Sequence, residues 1–158
     1  MQKSRKNSLI FPLEKKVYYH DTDCAGVVYY ANYLKYLEEA RTEFLLSCGV
    51  DLKKMAEEGL LFAVRKIEVV YKTPLLYSDI FKVFTRIEKI KYTYLNFYQW
   101  IEKKRKITLE AKSQLVCVNN RFRPQAIPRS VLKRLSKRRV VSKDRKRIRE
   151  PVKKTTIL

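Results

Sequence analysis

Between Lys66 and Cys117 the hydrophobic period of the chain is two, and no other feature restricts the fold as much. Ile67, Val69 and Tyr71 alternate with Lys66, Glu68 and Lys72, and Phe81, Val83, Thr85 and Ile87 with Lys82, Arg86 and Glu88. Thr93, Leu95, Phe97 and Ile101 form a third set. Ile107, Leu109, Ala111, Leu115 and Cys117 form a fourth, interleaved with Thr108, Glu110, Lys112 and Gln114. Alternation of this kind gives each strand one apolar face. The connections 73–79, 89–92 and 103–106 are short enough to join antiparallel neighbours. The pattern predicts a four-stranded antiparallel meander with one face buried.

That face needs a cover. Upstream, Leu34, Leu37, Phe44, Leu45 and Cys48 recur at helical spacing, which predicts a helix over 31–48 stopped by Gly49. Residues 13–20 read as a short strand and 52–58 as a helical turn. Pro124 and Pro128 end the sheet region, and Ser130 begins a short helix reaching Leu135. The order of strand, long helix and four more strands is an α+β arrangement, with one long helix against an antiparallel sheet of about five strands. A chain of 158 residues supports one such core and not two. From residue 136 onward apolar anchors are few, so the expected organisation is a domain over 1–135 and a basic, flexible tail over 136–158.

Charge is concentrated in the same place. The formal net charge is +20, and residues 129–158 hold thirteen Lys and Arg against Asp144 and Glu150. Such a surface attracts polyanions of any kind, including nucleic acid, phosphorylated ligands, acidic proteins and anionic lipid. Cys24, Cys48 and Cys117 are odd in number, without a CxxC pair or a neighbouring His to complete a zinc site, which suits a reducing compartment. The longest apolar run near the start is Leu9-Ile10-Phe11, and no segment approaches a membrane span. The expected location is the cytoplasm.

The chemistry-bearing stretch is YYHDTDCAGVVYYANYL, residues 18–34. Asp21, Asp23 and Gly26 fit positions one, three and six of a calcium loop, but position five is Ala25, nine is Tyr29 and twelve is Asn32, so calcium is excluded. A helix starting near Ala31 directs unpaired N–H groups and a partial positive charge back at residues 26–30. Gly26 allows close backbone approach, and Asp23 lies a few residues before the helix start. A carbonyl resting on those N–H groups would be polarised beside a carboxylate, a constellation for acyl hydrolysis. Asp-Thr-Asp followed by Gly is equally ordinary turn and capping chemistry.

The run Asp21-Thr22-Asp23-Cys24-Ala25-Gly26-Val27-Val28-Tyr29, followed by Asn32-Tyr33, resembles the signature of the hotdog-fold acyl-CoA thioesterases of the 4-hydroxybenzoyl-CoA thioesterase group, especially the branch associated with the Tol-Pal system. EEARTEFL (38–45), FAVRKIEVVYKTP (62–74) and LVCVNNRFRPQAIP (115–128) are similar to further family segments in the same order. The resemblance covers roughly 13–135. It implies a helix wrapped by an antiparallel sheet, paired subunits as a homodimer or homotetramer with sites at their interface, an acyl-CoA substrate, and no metal or cofactor. It assigns Asp23 as the catalytic carboxylate and the Tyr30 backbone N–H as holder of the thioester oxygen. The Tol-Pal branch usually has His where this chain has Tyr30.

Candidate substrate contacts are Gly26, Val27 and Tyr29 in the loop, and Thr93, which matches a Ser/Thr position of the family. Arg65 and Lys66, with Arg121 and Arg123, are candidates for the phosphates of coenzyme A, or else solvated strand edges. His20 beside Asp21 could form an acid–base pair, but neighbours on a strand point to opposite faces. Cys24 has no activating base nearby and reads as a small packed residue. Glu38 could reach the pocket or pair with Arg41. Tyr29, Tyr30, Tyr33 and Tyr36 read as core or interface residues. Two non-hydrolytic alternatives stand beside the enzyme: a module that binds acyl-CoA or an acidic acyl-carrier protein, and a basic-tailed protein that binds RNA or an anionic surface.

Overall fold

The computed structural model describes residues 9–137. The elements in order are β1 (Phe11–Lys16), a 3-10 turn (Tyr19–Asp21), α1 (Asn32–Ser47), α2 (Leu52–Glu57), β2 (Leu60–Tyr71), β3 (Ile80–Ile90), β4 (Tyr94–Lys103), β5 (Lys106–Asn119) and α3 (Arg129–Lys137). The expected tail lies outside the described residues from residue 138 onward. α3 continues to Lys137, with Val131 and Leu135 buried.

α1 buries Tyr33, Tyr36, Leu37, Ala40, Arg41, Phe44 and Leu45, positions three or four apart that form one stripe. It ends where the sequence requires. Gly49 has φ +79°, its N–H donates to Leu46 O at 2.8 Å, and Val50 N–H reaches back to Leu45 O at 2.9 Å. This pair of bonds closes the helix through a left-handed residue, which glycine adopts without a Cβ penalty. Asp51 then caps α2 by accepting from Lys53 N–H at 2.9 Å.

The five strands form one antiparallel sheet in the order β1-β3-β4-β5-β2. β3, β4 and β5 are the expected meander, but β2 pairs with β5 and not with β3. The connection 72–79 is therefore no hairpin. It crosses the end of α1, with Leu75 fully buried and its carbonyl accepting from Val28 N–H at 2.8 Å, and it delivers the chain to the far side of the sheet, where β3 lies between β1 and β4. Burial of Leu75 against the helix favours that route over a tight turn.

Two hydrophobic clusters lie between α1 and the sheet. Phe44, Leu45 and Cys48 at the C-terminal end of the helix pack with Phe97, Leu115, Cys117, Ile127 and Val131. Tyr33, Tyr36 and Leu37 at its N-terminal end pack with Val17, Val28, Leu75, Phe81 and Ile101. The other face of the sheet is not simply polar. Phe84 and Trp100 are cross-strand partners, both buried, and their rings stack at 5.1 Å.

Candidate active site

The loop between the 3-10 turn and α1 is shaped by its own side chains. Asp23 N–H donates to Val27 O at 2.9 Å, Gly26 N–H to Asp23 O at 3.0 Å, and Ala25 N–H to Asp23 Oδ1 at 2.8 Å. Asp23 thus closes its own turn with one carboxylate oxygen. Its side chain is exposed, and no second bond to that carboxylate is present among the described residues. Gly26 has φ +78° with open space where a Cβ would sit, so conformation and not crowding calls for glycine.

Asp21 has the opposite environment. It is buried, and its Oδ2 accepts from Tyr18 N–H at 2.9 Å. Its carbonyl accepts from Tyr29 N–H at 2.9 Å and from Asn32 Nδ2 at 2.9 Å. The strand expected over 13–20 stops at Lys16, and residues 19–21 turn as a 3-10 helix. The alternation argument against His20 fails for that reason. His20 Nε2 comes within 3.5 Å of Asp21 Oδ1, while its exposed ring stacks on Tyr18.

At the start of α1, Asn32 N–H donates to Tyr29 O at 2.8 Å. The N–H groups of Tyr30 and Ala31 have no acceptor among the described residues, so the positive end of the helix is open toward the loop. The Tyr71 hydroxyl, from the end of β2, donates to Tyr30 O at 2.9 Å. Tyr33 Oη accepts from Leu75 N–H at 2.9 Å, and Val27 bridges to Leu76. Loop, helix start and the 72–79 crossing are one bonded unit.

Asp23, Gly26, Val27, Tyr29 and Tyr30 are therefore together. Thr93 is not with them. It lies in the turn before β4 and not on a strand, with its carbonyl accepting from Cys117 N–H at 2.8 Å near the C-terminal end of α1. Arg65 and Lys66 sit midway along β2, Arg65 at a bulge and Lys66 paired with Glu68 at 2.7 Å. Arg121 and Arg123 donate their backbone N–H groups to Asn119 Oδ1 in an exposed loop beyond β5. Among the described residues no ion pair joins any of these cations to Asp23.

The readings of Glu38 and Arg41 on the helix and of Cys24 in the loop are corrected. Glu38 accepts from Thr42 Oγ1 at 2.7 Å. Arg41 is buried and donates to Gln99 Oε1 at 2.9 Å, and burial pulls its guanidinium below its usual pKa against the opposing effect of Glu38. Cys24 is exposed and not packed. Tyr33 and Tyr36 are core as expected, whereas Tyr29 and Tyr30 are exposed.

A cavity of about 550 Å³ lies between β1 and α1, lined by Glu14, Lys15, Tyr18, His20, Asp21 and Tyr36 among others. Asp23 and Tyr30 are not in its wall, so in a single chain the carboxylate and the open helix end face solvent. Asn32, Tyr33 and Tyr71 are the parts of this site that composition and spacing missed. The Asn32-Tyr33 pair at the helix start was the available signal for the first two, and a tyrosine ending an alternating strand gives none for the third.

A family model described as the thioesterase-like superfamily matches residues 17–135. The chain is 36% identical over 128 residues to the acyl-CoA thioester hydrolase YbgC of Escherichia coli O6:H1, an alignment spanning 80% of this chain and 96% of that protein. A crystal structure of a probable thioesterase from Bartonella henselae superposes with a TM-score of 0.73 at 30% identity, covering 76% of this chain and 100% of that one. A 4-hydroxybenzoyl CoA thioesterase shares the fold, with a TM-score of 0.74 at 16% identity over 80% of this chain and 98% of that one.

Proposed function

This chain belongs to the thioesterase-like superfamily and is a thioester hydrolase that splits acyl-CoA into a free acid and coenzyme A, and we propose that Asp23 and the start of α1 carry the reaction. The observation behind this assignment is the pairing, in one loop, of a carboxylate with an unoccupied coordination side and two unpaired N–H groups at a helix end. The thioester oxygen rests on the N–H of Tyr30, and the polarised carbonyl presents its carbon to Asp23. Asp23 acts there as general base, taking a proton from water as the water attacks, or as nucleophile, forming an anhydride that water then cleaves. In both routes the negative charge that develops on oxygen meets the helix end, and the thiolate of coenzyme A leaves.

Because Asp23 faces solvent in a single chain, the site is completed by a second copy. β2 and β1 are the edges of the sheet. β1 is short and carries Pro12, a poor edge for extension. β2 is twelve residues long and exposes Val64, Val70 and Tyr71. Antiparallel pairing of two β2 strands about their midpoint sets the first residues of one β2, with the adjacent Arg121–Arg123 loop, beside Tyr71 and the Asp23 loop of the other. That arrangement gives Arg121 and Arg123 a role toward coenzyme A phosphates that they lack within one chain. The expected assembly is a homodimer or a tetramer built from it, and the expected location is the cytoplasm. No helix among the described residues is long and apolar enough to cross a membrane.

The test is thiol release from a panel of acyl-CoAs by the wild type and by Asp23→Asn. The substitution keeps shape and removes the base, so kcat should fall by about 10² or more, with KM and melting temperature nearly unchanged. Near-normal turnover in Asp23→Asn would remove Asp23 from the mechanism.

A further inference from the structure

The peptide groups at the start of α1 are held from behind. The Tyr29 carbonyl accepts from Asn32 N–H at 2.8 Å, and the Tyr30 carbonyl accepts from the Tyr71 hydroxyl at 2.9 Å. Each carbonyl belongs to the peptide whose N–H is the next residue's, so the two peptides with engaged carbonyls are those carrying the free N–H groups of Tyr30 and Ala31. A hydrogen bond to an amide carbonyl polarises the same amide and strengthens its N–H as a donor. The first of these bonds is the helix's own. The second comes from a side chain 41 residues away, on a different element.

We propose that Tyr71 is a positioning residue for thioester hydrolysis: its hydroxyl fixes the Tyr30–Ala31 peptide so that the N–H groups of Tyr30 and Ala31 converge on the thioester oxygen. This inference rests on the hydrolytic reading given above. The bond sets the backbone of Tyr30 on its C-terminal side, and a rotation of that peptide would swing the Ala31 N–H away from the substrate. The hydroxyl is suited to the task in two ways. Its ring packs edge-on against buried Tyr33 at 5.5 Å, and Tyr33 is in turn bonded to Leu75 N–H, so the donor sits on the bonded unit that shapes the loop. Partial burial, and then the neighbouring Tyr30, push the Tyr71 phenol above its ordinary pKa, which keeps the proton on the hydroxyl throughout the neutral range.

Tyr71→Phe removes the hydroxyl and keeps the ring. In the full chain we expect kcat to fall about tenfold, less than the loss of a whole oxyanion donor, with KM within twofold and the oligomer mass unchanged by light scattering. A readout that simple destabilisation would not move is the infrared carbonyl stretch of a 13C-labelled thioester bound to Asp23→Asn. Adding Tyr71→Phe to that variant should return the stretch toward its frequency in solution. Normal turnover in Tyr71→Phe beside an inactive Asp23→Asn overturns the assignment of Tyr71 and leaves the hydrolytic reading standing. So does a fall in turnover with an unmoved carbonyl stretch. Turnover that survives Asp23→Asn overturns the hydrolytic reading, and this assignment with it.

Discussion

Asp21 and Asp23 lie two residues apart, and the loop divides their roles by direction. Asp21 points inward to the Tyr18 N–H, and Asp23 caps its own turn and faces out. Asp21→Asn keeps an acceptor but loses its charge, so stability should fall by roughly 1 kcal/mol in a thermal melt, with kcat reduced only as the loop loosens. Gly26→Ala should cost about 1 kcal/mol as well, because φ is +78° while the space for a methyl is open; a larger loss would mean that crowding matters after all. Tyr36 offers a pH test. Its hydroxyl is buried without a well-formed hydrogen bond among the described residues, and burial, then the Asp21 carboxylate as a weak acceptor, push the phenol well above its usual range. The folded chain therefore favours the neutral phenol, while the unfolded chain ionises near its ordinary value of about 10. Ionisation therefore leaves the fold unaffected below that pH and destabilises it progressively as pH rises past it. Tyr36→Phe should raise stability at neutral pH by about 1 kcal/mol and move the alkaline unfolding midpoint upward. The contrast between the bonded Asp21 and the outward-facing Asp23 was legible because turn and helix-end chemistry is local. The Tyr71 bond was not, since nothing in an alternating strand says which carbonyl its last hydroxyl will meet.

At the scale of elements, periodicity located α1 and all four later strands to within a few residues, except where β2 begins. Leu60-Leu61-Phe62-Ala63-Val64 is a continuous apolar run that alternation cannot assign, yet it is paired with β5 from Leu60 onward. Pairing partners were the other failure: a connection of seven or eight residues fits a hairpin in length, and only burial of Leu75 beneath α1 explains the crossing. Charge on α1 also misled, because Arg41 lies on the core stripe. Its guanidinium bonds to Gln99 Oε1, and Gln99 Nε2 bonds to Leu37 O and Thr85 Oγ1, both at 2.9 Å. This network ties helix to sheet at its middle, and it is only as stable as its least satisfied member. Gln99→Leu would strand a buried cation and should cost about 3 kcal/mol or more in denaturant unfolding. Arg41→Met with Gln99→Leu should recover much of that loss, since replacing both partners by apolar groups leaves no unpaired charge.

For the whole molecule, the open question in the sheet is its free β2 edge. A twelve-residue edge strand with exposed Val64 and Val70 is a template for pairing, and a monomer would leave it bare. Charge placed on that edge at Val64 should separate two effects, because Val64 lies on β2 seven residues before Tyr71 and is not bonded to the Asp23 loop. Val64→Lys leaves the core clusters untouched, so a single chain should remain folded. If two β2 strands pair, like-charged copies of residue 64 are brought near the two-fold axis, and the assembly should shift toward 18.9 kDa in light scattering at micromolar concentration. Turnover should then fall with the dimer fraction and return as protein concentration rises, because the second chain closes the solvent side of Asp23. Full activity in a variant shown to be monomeric would mean that one chain is a complete enzyme, and that Arg121 and Arg123 have no part in binding coenzyme A across an interface.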